Sequence, residues 1–304
     1  MDPLKNFKGD RILVTGGVGY LGSNLISQLI KYGCDEIHSI DLERTEQENP
    51  NITFHQVNLL DSSSLSDKVK EIKPTLVYHL AANLNRSRDF SIVQQLMDVN
   101  FTGTTNLLNA LEDIPYKNFI YTSTSEVYGG KDITPPFKET GDFVPASPYS
   151  LSKYCGEMAL KTFSEIKEKK YTILRMFNFL GSNMPTNFFP SQLKEKLNRN
   201  EDFPMTLGEQ VRDYLYLGDV IDALLLAGHT EHTNQVYNVC SGEGISIREL
   251  AEKAKTKMKS TSSIQFGALP YRNNEVWNMV GDNSKIQKYL GWRQKTSIWK
   301  YFEE

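Results

Sequence analysis

Apolar positions change their period along the chain, and each change marks an element. Ile12 to Val14 form a run short enough for one buried strand, which drops into Gly16, Gly17, Gly19 and Gly22 and leaves through Leu21, Leu25, Ile26, Leu29 and Ile30 at helical spacing. The same rhythm recurs. It predicts strands at Glu36–Ile40, Ile52–Val57, Thr75–Leu80, Asn118–Thr122 and Tyr171–Met176, and helices over Ser64–Ile72, Ser91–Leu111 and Tyr149–Lys169. Such alternation predicts an α/β fold, a doubly wound parallel (Rossmann) sheet with ligands outside the carboxyl ends of its strands. After Met176 the rhythm breaks at Pro185, Pro190 and Pro204, and the rest reads as a smaller, mixed C-terminal lobe. The expected domains are 1–175 and 176–304, partly interleaved.

Composition narrows the classes. The 304 residues carry a net charge of −3 and no basic run with interleaved aromatics, so nucleic acid is not an expected partner. No apolar stretch is long enough for a membrane span, and the polar N-terminus has no h-region of a secretory signal. Three widely spaced cysteines, Cys34, Cys155 and Cys240, suit reduced thiols and a cytoplasmic location. The close pair His229-Thr-Glu-His232 lacks the spacing of a zinc-protease helix; it reads as a surface loop, and no metal is expected.

The glycine turn carries the first chemistry. A bend this sharp needs backbone angles that a Cβ forbids, and a diphosphate reaches the main chain only where side chains are absent. Gly16, Gly19, Tyr20, Leu21 and Gly22 therefore form the expected phosphate cradle at the positive end of a helix dipole. Asp41 closes the second strand 19 residues after Gly22, where a carboxylate can accept both ribose hydroxyls. A carboxylate there repels a 2′-phosphate, which indicates NAD over NADP, although Arg44 stands three residues on. Asn58 and Leu59 follow the third strand where such folds hold adenine: Leu59 would cover the ring and Asn58 its amino edge, or both simply end the strand. Ala81 and Ala82 are small enough for backbone to approach a flat ring.

Tyr149 and Lys153 are four apart and share a helix face, downstream of a strand that ends in Ser123-Thr124-Ser125-Glu126. At this point the chain resembles the extended short-chain dehydrogenase/reductase family, the NAD-dependent nucleotide-sugar epimerases and dehydratases. The resemblance runs almost end to end, through Thr15–Gly22, Asp41, His79–Ala82, Asn100–Leu108, Ser123–Gly129, Tyr149 with Lys153, Arg175–Asn178, Arg212-Asp213, Tyr237–Gly242, Arg272 and Leu290-Gly-Trp292.

That resemblance implies a catalytic set of Tyr149, Lys153, Thr124, Ser125 and Glu126. Tyr149 would take the proton of a sugar hydroxyl, usually at C4, while hydride leaves the same carbon for NAD; Thr124 would hold the hydroxyl, and Lys153 would also bond the nicotinamide ribose. A phenol of ordinary pKa near 10 must fall by about 2 to 3 pH units, roughly 3 to 4 kcal/mol, to serve near neutrality, and Lys153 and the positive nicotinamide of bound NAD are the expected sources of that lowering. Thr124-Ser125-Glu126 resembles the triplets of 4,6-dehydratases, with Glu126 removing the C5 proton, and makes dehydration the expected outcome. Two features depart from this: Ser125 stands where thymidine-sugar dehydratases place an Asp acid, and Glu126 can be read as a carboxylate bonded to its own loop. The alternatives are a C4 dehydrogenase, reductase or epimerase, and a non-catalytic NAD-sensing protein. The resemblance further implies Asn178, Arg212 and Arg272 as contacts of the nucleotide sugar, with a structural ion pair as the other reading of Arg212, and a homodimer.

Overall fold

The computed structural model describes residues 7–43, 49–129, 134–141, 143–272 and 274–304, so that Arg44 lies outside the described residues. The first half runs β1 (Arg11–Thr15), α1 (Tyr20–Lys31), β2 (Glu36–Asp41), β3 (Ile52–Gln56), α2 (Ser62–Ile72), β4 (Leu76–His79), α3 (Val93–Met97), α4 (Gly103–Ala110), β5 (Asn118–Thr124), α5 (Pro148–Lys167) and β6 (Tyr171–Met176). There follow β7 (Asn178–Leu180), α6 (Phe189–Asn198), β8 (Phe203–Met205), β9 (Val211–Tyr216), α7 (Leu217–Gly228), β10 (Gln235–Val239), β11 (Gly244–Ser246), α8 (Ile247–Lys257), β12 (Ile264–Phe266), β13 (Asn278–Met279), α9 (Ser284–Leu290) and α10 (Lys300–Glu303).

Two compact units share the chain. The first holds residues up to 127, 145–175 and 221–237; the second holds 128–144, 176–220 and 238–304. The chain therefore passes between units more often than one cut at 175 implies.

In the first unit a seven-stranded sheet has the order β10-β6-β5-β4-β1-β2-β3, with β1 parallel to β2 and β4, β2 to β3, and β4 to β5. Every residue of β4 and β5 is buried, as expected of central strands covered on both faces, while β3 at the edge keeps no fully buried residue. Leu13, Val77, Phe119, Leu107, Leu160 and Ile173 anchor one core cluster against the helices. The second unit centres on β9, which pairs with β7, β11 and β13, alongside a cluster that includes Leu193, Met205, Leu250 and Phe302.

The helix expected over Ser91–Leu111 is interrupted. A 3-10 turn (Phe90–Ile92), α3, a π turn (Asp98–Thr102) and α4 follow one another. The extra residue of the π turn accompanies Asn100, which is buried and bonded outside the helix, a use typical of such insertions. α5 starts where its sequence says it should: Ser147 and Ser150 form a reciprocal cap around Pro148.

Two buried ionic groups tie the first unit together. Arg175 of β6, with no exposed surface, donates from Nε and NH2 to both oxygens of Glu157 in α5, at 2.9 and 2.6 Å, and Ser123 Oγ adds a third bond at 2.5 Å. Asp10, just before β1, accepts from Lys117 Nζ at 2.6 Å, Thr75 Oγ1 at 3.0 Å and His229 Nε2 at 2.7 Å. His229, at the start of the expected surface loop, also stacks on Phe7 at 4.3 Å, so the loop is anchored at that end. Burial alone would raise the Asp10 carboxyl, but the hydrogen bonds and charges of His229 and Lys117 hold it at about 2.

Removing one partner of a buried pair strands the other. Arg175→Met is expected to cost about 3 to 5 kcal/mol of unfolding free energy, and Arg175→Met with Glu157→Gln to recover most of it. Urea midpoints check this, and a single variant no less stable than the double would refute it. Asp10 ionises at about 2 in the fold against 3.8 as a free carboxyl, so its contribution is complete above about pH 4 and is lost as pH falls towards 2. Asp10→Asn should therefore show lower stability at neutral pH and a flatter decline through that acid window.

Candidate active site

β1 delivers the chain into the glycine turn with Gly16 at φ +75°, a conformation that a side chain resists, and a Cβ there would stand 2.7 Å from the Ala81 amide nitrogen. A Cβ at Gly22 would overlap the Gly16 carbonyl oxygen and stand 2.7 Å from Gly17 Cα. Turn, helix and the Ala81 backbone thus pack closer than any larger residue permits. Gly19 is the N-cap of α1 in extended backbone, makes no side-chain cap bond, and no acidic residue occupies the first turn, where Tyr20 and Leu21 lie. The helix end keeps its positive character for an anion. Asp41 Oδ2 accepts from Val18 N at 3.1 Å, which ties the carboxylate at the end of β2 to the same turn. A cradle that a Cβ would fill, an uncapped helix N-terminus and a carboxylate held beside them fit a dinucleotide.

Leu59, expected to cover the adenine, is 8% exposed and belongs to the core cluster, where a Cβ on Gly103 would come within 3.1 Å of the Leu59 Cβ. Asn58 is exposed, with Oδ1 accepting from Leu60 N.

A buried polar chain joins this turn to α5. Thr15 Oγ1 lies 2.6 Å from His79 Nδ1, and His79 Nε2 lies 2.8 Å from Thr104 Oγ1, which donates to the Asn100 carbonyl at 2.7 Å. Burial pulls the His79 imidazole down to about 3, so it is a neutral linker. Asn100 Oδ1 accepts from Asn83 N at 2.7 Å, and its Nδ2 donates to Ser152 Oγ of α5 at 2.9 Å.

Tyr149 and Lys153 both lie in α5 and both are buried, together with Thr124 and Ser125 at the end of β5. Lys153 Nζ sits 4.2 Å from the centre of the Tyr121 ring. Burial pulls its ammonium down to about 7, against the opposing charge of Glu157 one turn on. In the chain by itself burial pushes the Tyr149 phenol up to about 12, Arg86 offsets part of this, and Glu126 adds to it. Desolvation of a group that must become an anion outweighs the help the chain gives, and the charge that pulls the phenol back is Arg86 rather than Lys153.

Glu126 sits in the 3-10 turn after β5 and is well engaged. Its Oε1 lies 3.7 Å from Arg86 Nε, its Oε2 lies 3.9 Å from Arg88 NH2 and accepts from Ser147 Oγ at 3.3 Å, and its amide donates to Thr124 Oγ1 at 3.2 Å. In the second unit Asn178 Nδ2 donates to the Asp213 carbonyl at 3.3 Å. Arg212 is tied to Glu275 at 2.5 Å and to the Val276 carbonyl at 2.7 Å, the ion-pair reading, while Arg272 is exposed. Asp213, fully buried, accepts from Ser241, Gly242 and Gly281; burial still raises its carboxyl to about 6.

Sequence reasoning passed over four functional-looking residues. Glu157 could have been found, since Tyr149, Lys153 and Glu157 repeat every four residues along one helix face. Arg86, Arg88 and the bonding of Asn100 have no periodic signal, because their partners come from other elements.

The family model described as GDP-mannose 4,6 dehydratase matches residues 13–304. The UDP-glucose 4-epimerase of Mycoplasma pneumoniae is 29% identical over 323 residues, covering 97% of this chain and 95% of that protein. The structure is similar to that of the UDP-glucose 4-epimerase of Thermotoga maritima with UDP-glucose, at a TM-score of 0.90 and 29% identity over 96% of each chain. It is also similar to the Thermus thermophilus UDP-glucose 4-epimerase in complex with NAD, at a TM-score of 0.84 and 26% identity over 96% of each chain. Motif order, the parallel sheet and a match over nearly the whole chain agree, and the chain belongs to the GDP-mannose 4,6 dehydratase family, within the nucleotide-sugar 4-epimerases and 4,6-dehydratases.

Proposed function

We propose that this chain is an NAD-dependent enzyme that oxidises C4 of a nucleotide-activated sugar, a UDP-hexose such as UDP-glucose, and returns hydride to the opposite face to give the C4 epimer. NAD, when bound at the glycine turn and Asp41, supplies the hydride acceptor and later the donor. Thr124 holds the C4 hydroxyl, Tyr149 takes its proton as the C4–H bond breaks, and gives the proton back when the ketone is reduced. Lys153, one turn along α5, supplies positive charge to the phenolate while it carries its proton. In the second unit Asn178 and the exposed Arg272 are the candidate phosphate contacts; Arg212 is occupied by Glu275.

The observation that favours epimerisation is the state of Glu126: two guanidiniums pair with it at 3.7 and 3.9 Å, and Ser147, which caps α5, donates to it at 3.3 Å. That is the bonding of a brace more than of a base that must release its lone pair to a C–H. Ser125, buried, has no acidic proton to offer a departing hydroxyl at neutral pH. A second reading, 4,6-dehydration, rests on the Thr124-Ser125-Glu126 order and on the charge of Glu126 acting on Tyr149.

Incubation with UDP-glucose in deuterated water separates the two. Epimerisation gives UDP-galactose of unchanged composition without solvent deuterium at C5, whereas loss of one water with deuterium at C5 refutes it in favour of dehydration. Tyr149→Phe is expected to lower kcat by about 10²–10⁴-fold while leaving NAD binding intact; wild-type turnover in that variant would remove the phenol from the mechanism.

A further inference from the structure

The charges around Tyr149 come from three elements. Lys153, with Glu157 one turn beyond it, lies on α5 itself; Glu126 follows β5; Arg86 and Arg88 follow β4. The Tyr121 phenol of β5 lies beside Lys153 and is neutral, its ionisation pushed far up by burial. Among these, Arg86 is the cation that meets the phenol ring: its guanidinium carbon stands 5.8 Å from the Tyr149 ring centre. It does not hang free there. Arg86 Nε stands 3.7 Å from Glu126 Oε1, while Arg88 stands 3.9 Å from the other oxygen of Glu126 and donates from NH1 to the Ala146 carbonyl at 2.7 Å, in the segment that leads into α5.

We infer that Arg86 is a positioning residue for the reaction, holding its guanidinium against Tyr149 so that the phenolate form is stabilised, with Glu126 and Arg88 fixing where that guanidinium stands. The inference rests on the proposed role of Tyr149 as the proton acceptor and adds a second cation to Lys153. Burial pulls the Lys153 ammonium down, so its charge fades at lower pH than that of an exposed lysine, whereas a guanidinium keeps its proton throughout. Glu126 gains a part in this arrangement: its charge opposes the phenolate, yet it orients the guanidinium that favours it.

The test replaces Tyr149 with a fluorinated tyrosine, whose phenol ionises at lower pH than tyrosine, and follows its titration by fluorine NMR in the intact chain, in Arg86→Met and in Arg86→Lys. Arg86→Met should cut the ionised fraction at a fixed pH by about tenfold, and Arg86→Lys should restore a large part of it. In chains with the natural Tyr149, the acidic limb of kcat/KM for UDP-glucose with NAD should move to higher pH in Arg86→Met by the same factor. Arg86→Gln serves if the methionine variant has a lowered unfolding midpoint. An unchanged fluorotyrosine titration in a folded Arg86 variant overturns the inference whether or not UDP-glucose is turned over; a shifted titration in a chain inert to every sugar nucleotide upholds the contact and defeats the functional reading instead.

Discussion

Burial of the α5 face is the constraint on which the rest of the structure turns. Tyr149, Lys153 and Glu157 are all carried out of water on one stripe of one helix. Desolvation drives the phenol towards its protonated form and the amine towards its unprotonated form. The chain counters with charges that other elements bring. Arg175, from strand β6, bonds both oxygens of Glu157 and so leaves that buried carboxylate compensated. Arg86, from the loop after β4, plays the corresponding part at the phenol.

Those elements stay in register because the polar groups between them are spent on one another. Thr15, His79, Thr104, Asn100 and Ser152 form a continuous path from the glycine turn through β4 and the π turn to α5. A half-satisfied member would cost more than an apolar one, and each of these side chains has a partner. The path also explains the π turn. An unbroken α-helix closes each amide on the fourth preceding carbonyl; the inserted residue lets Asn100 face both Asn83 and Ser152.

The fold was largely legible because its signals are local. Ile12–Val14, the four glycines and Leu25–Ile30 state a strand, a turn and a helix within one stretch, and the β4 and β5 segments read as buried strands because they are apolar without alternation. Tyr149, Lys153 and Glu157 were equally open to reading, since a spacing of four needs only the helix to exist. What stayed hidden depends on partners remote in sequence. Nothing near Arg212 announces Glu275, and nothing near Arg86 announces Tyr149. Direction of a pKa is hidden for the same reason: spacing shows a lysine near a phenol but not how far both are from water.

Glu126 shows how one carboxylate can decide between two outcomes of a shared first step. Once C4 is a ketone, the C5–H bond is acidified whatever the enzyme does next, so an epimerase must keep every competent base away from that proton. A carboxylate two residues beyond Thr124 is a hazard in that setting unless its lone pairs are held. Here Arg86 and Arg88 pair with it at 3.7 and 3.9 Å and Ser147 Oγ donates to one oxygen at 3.3 Å, and the three come from two segments, the loop after β4 and the cap of α5. Charge-assisted contacts of this kind are individually weak when partly exposed, and their hold comes from acting together. The same triplet of residues is therefore compatible with either chemistry.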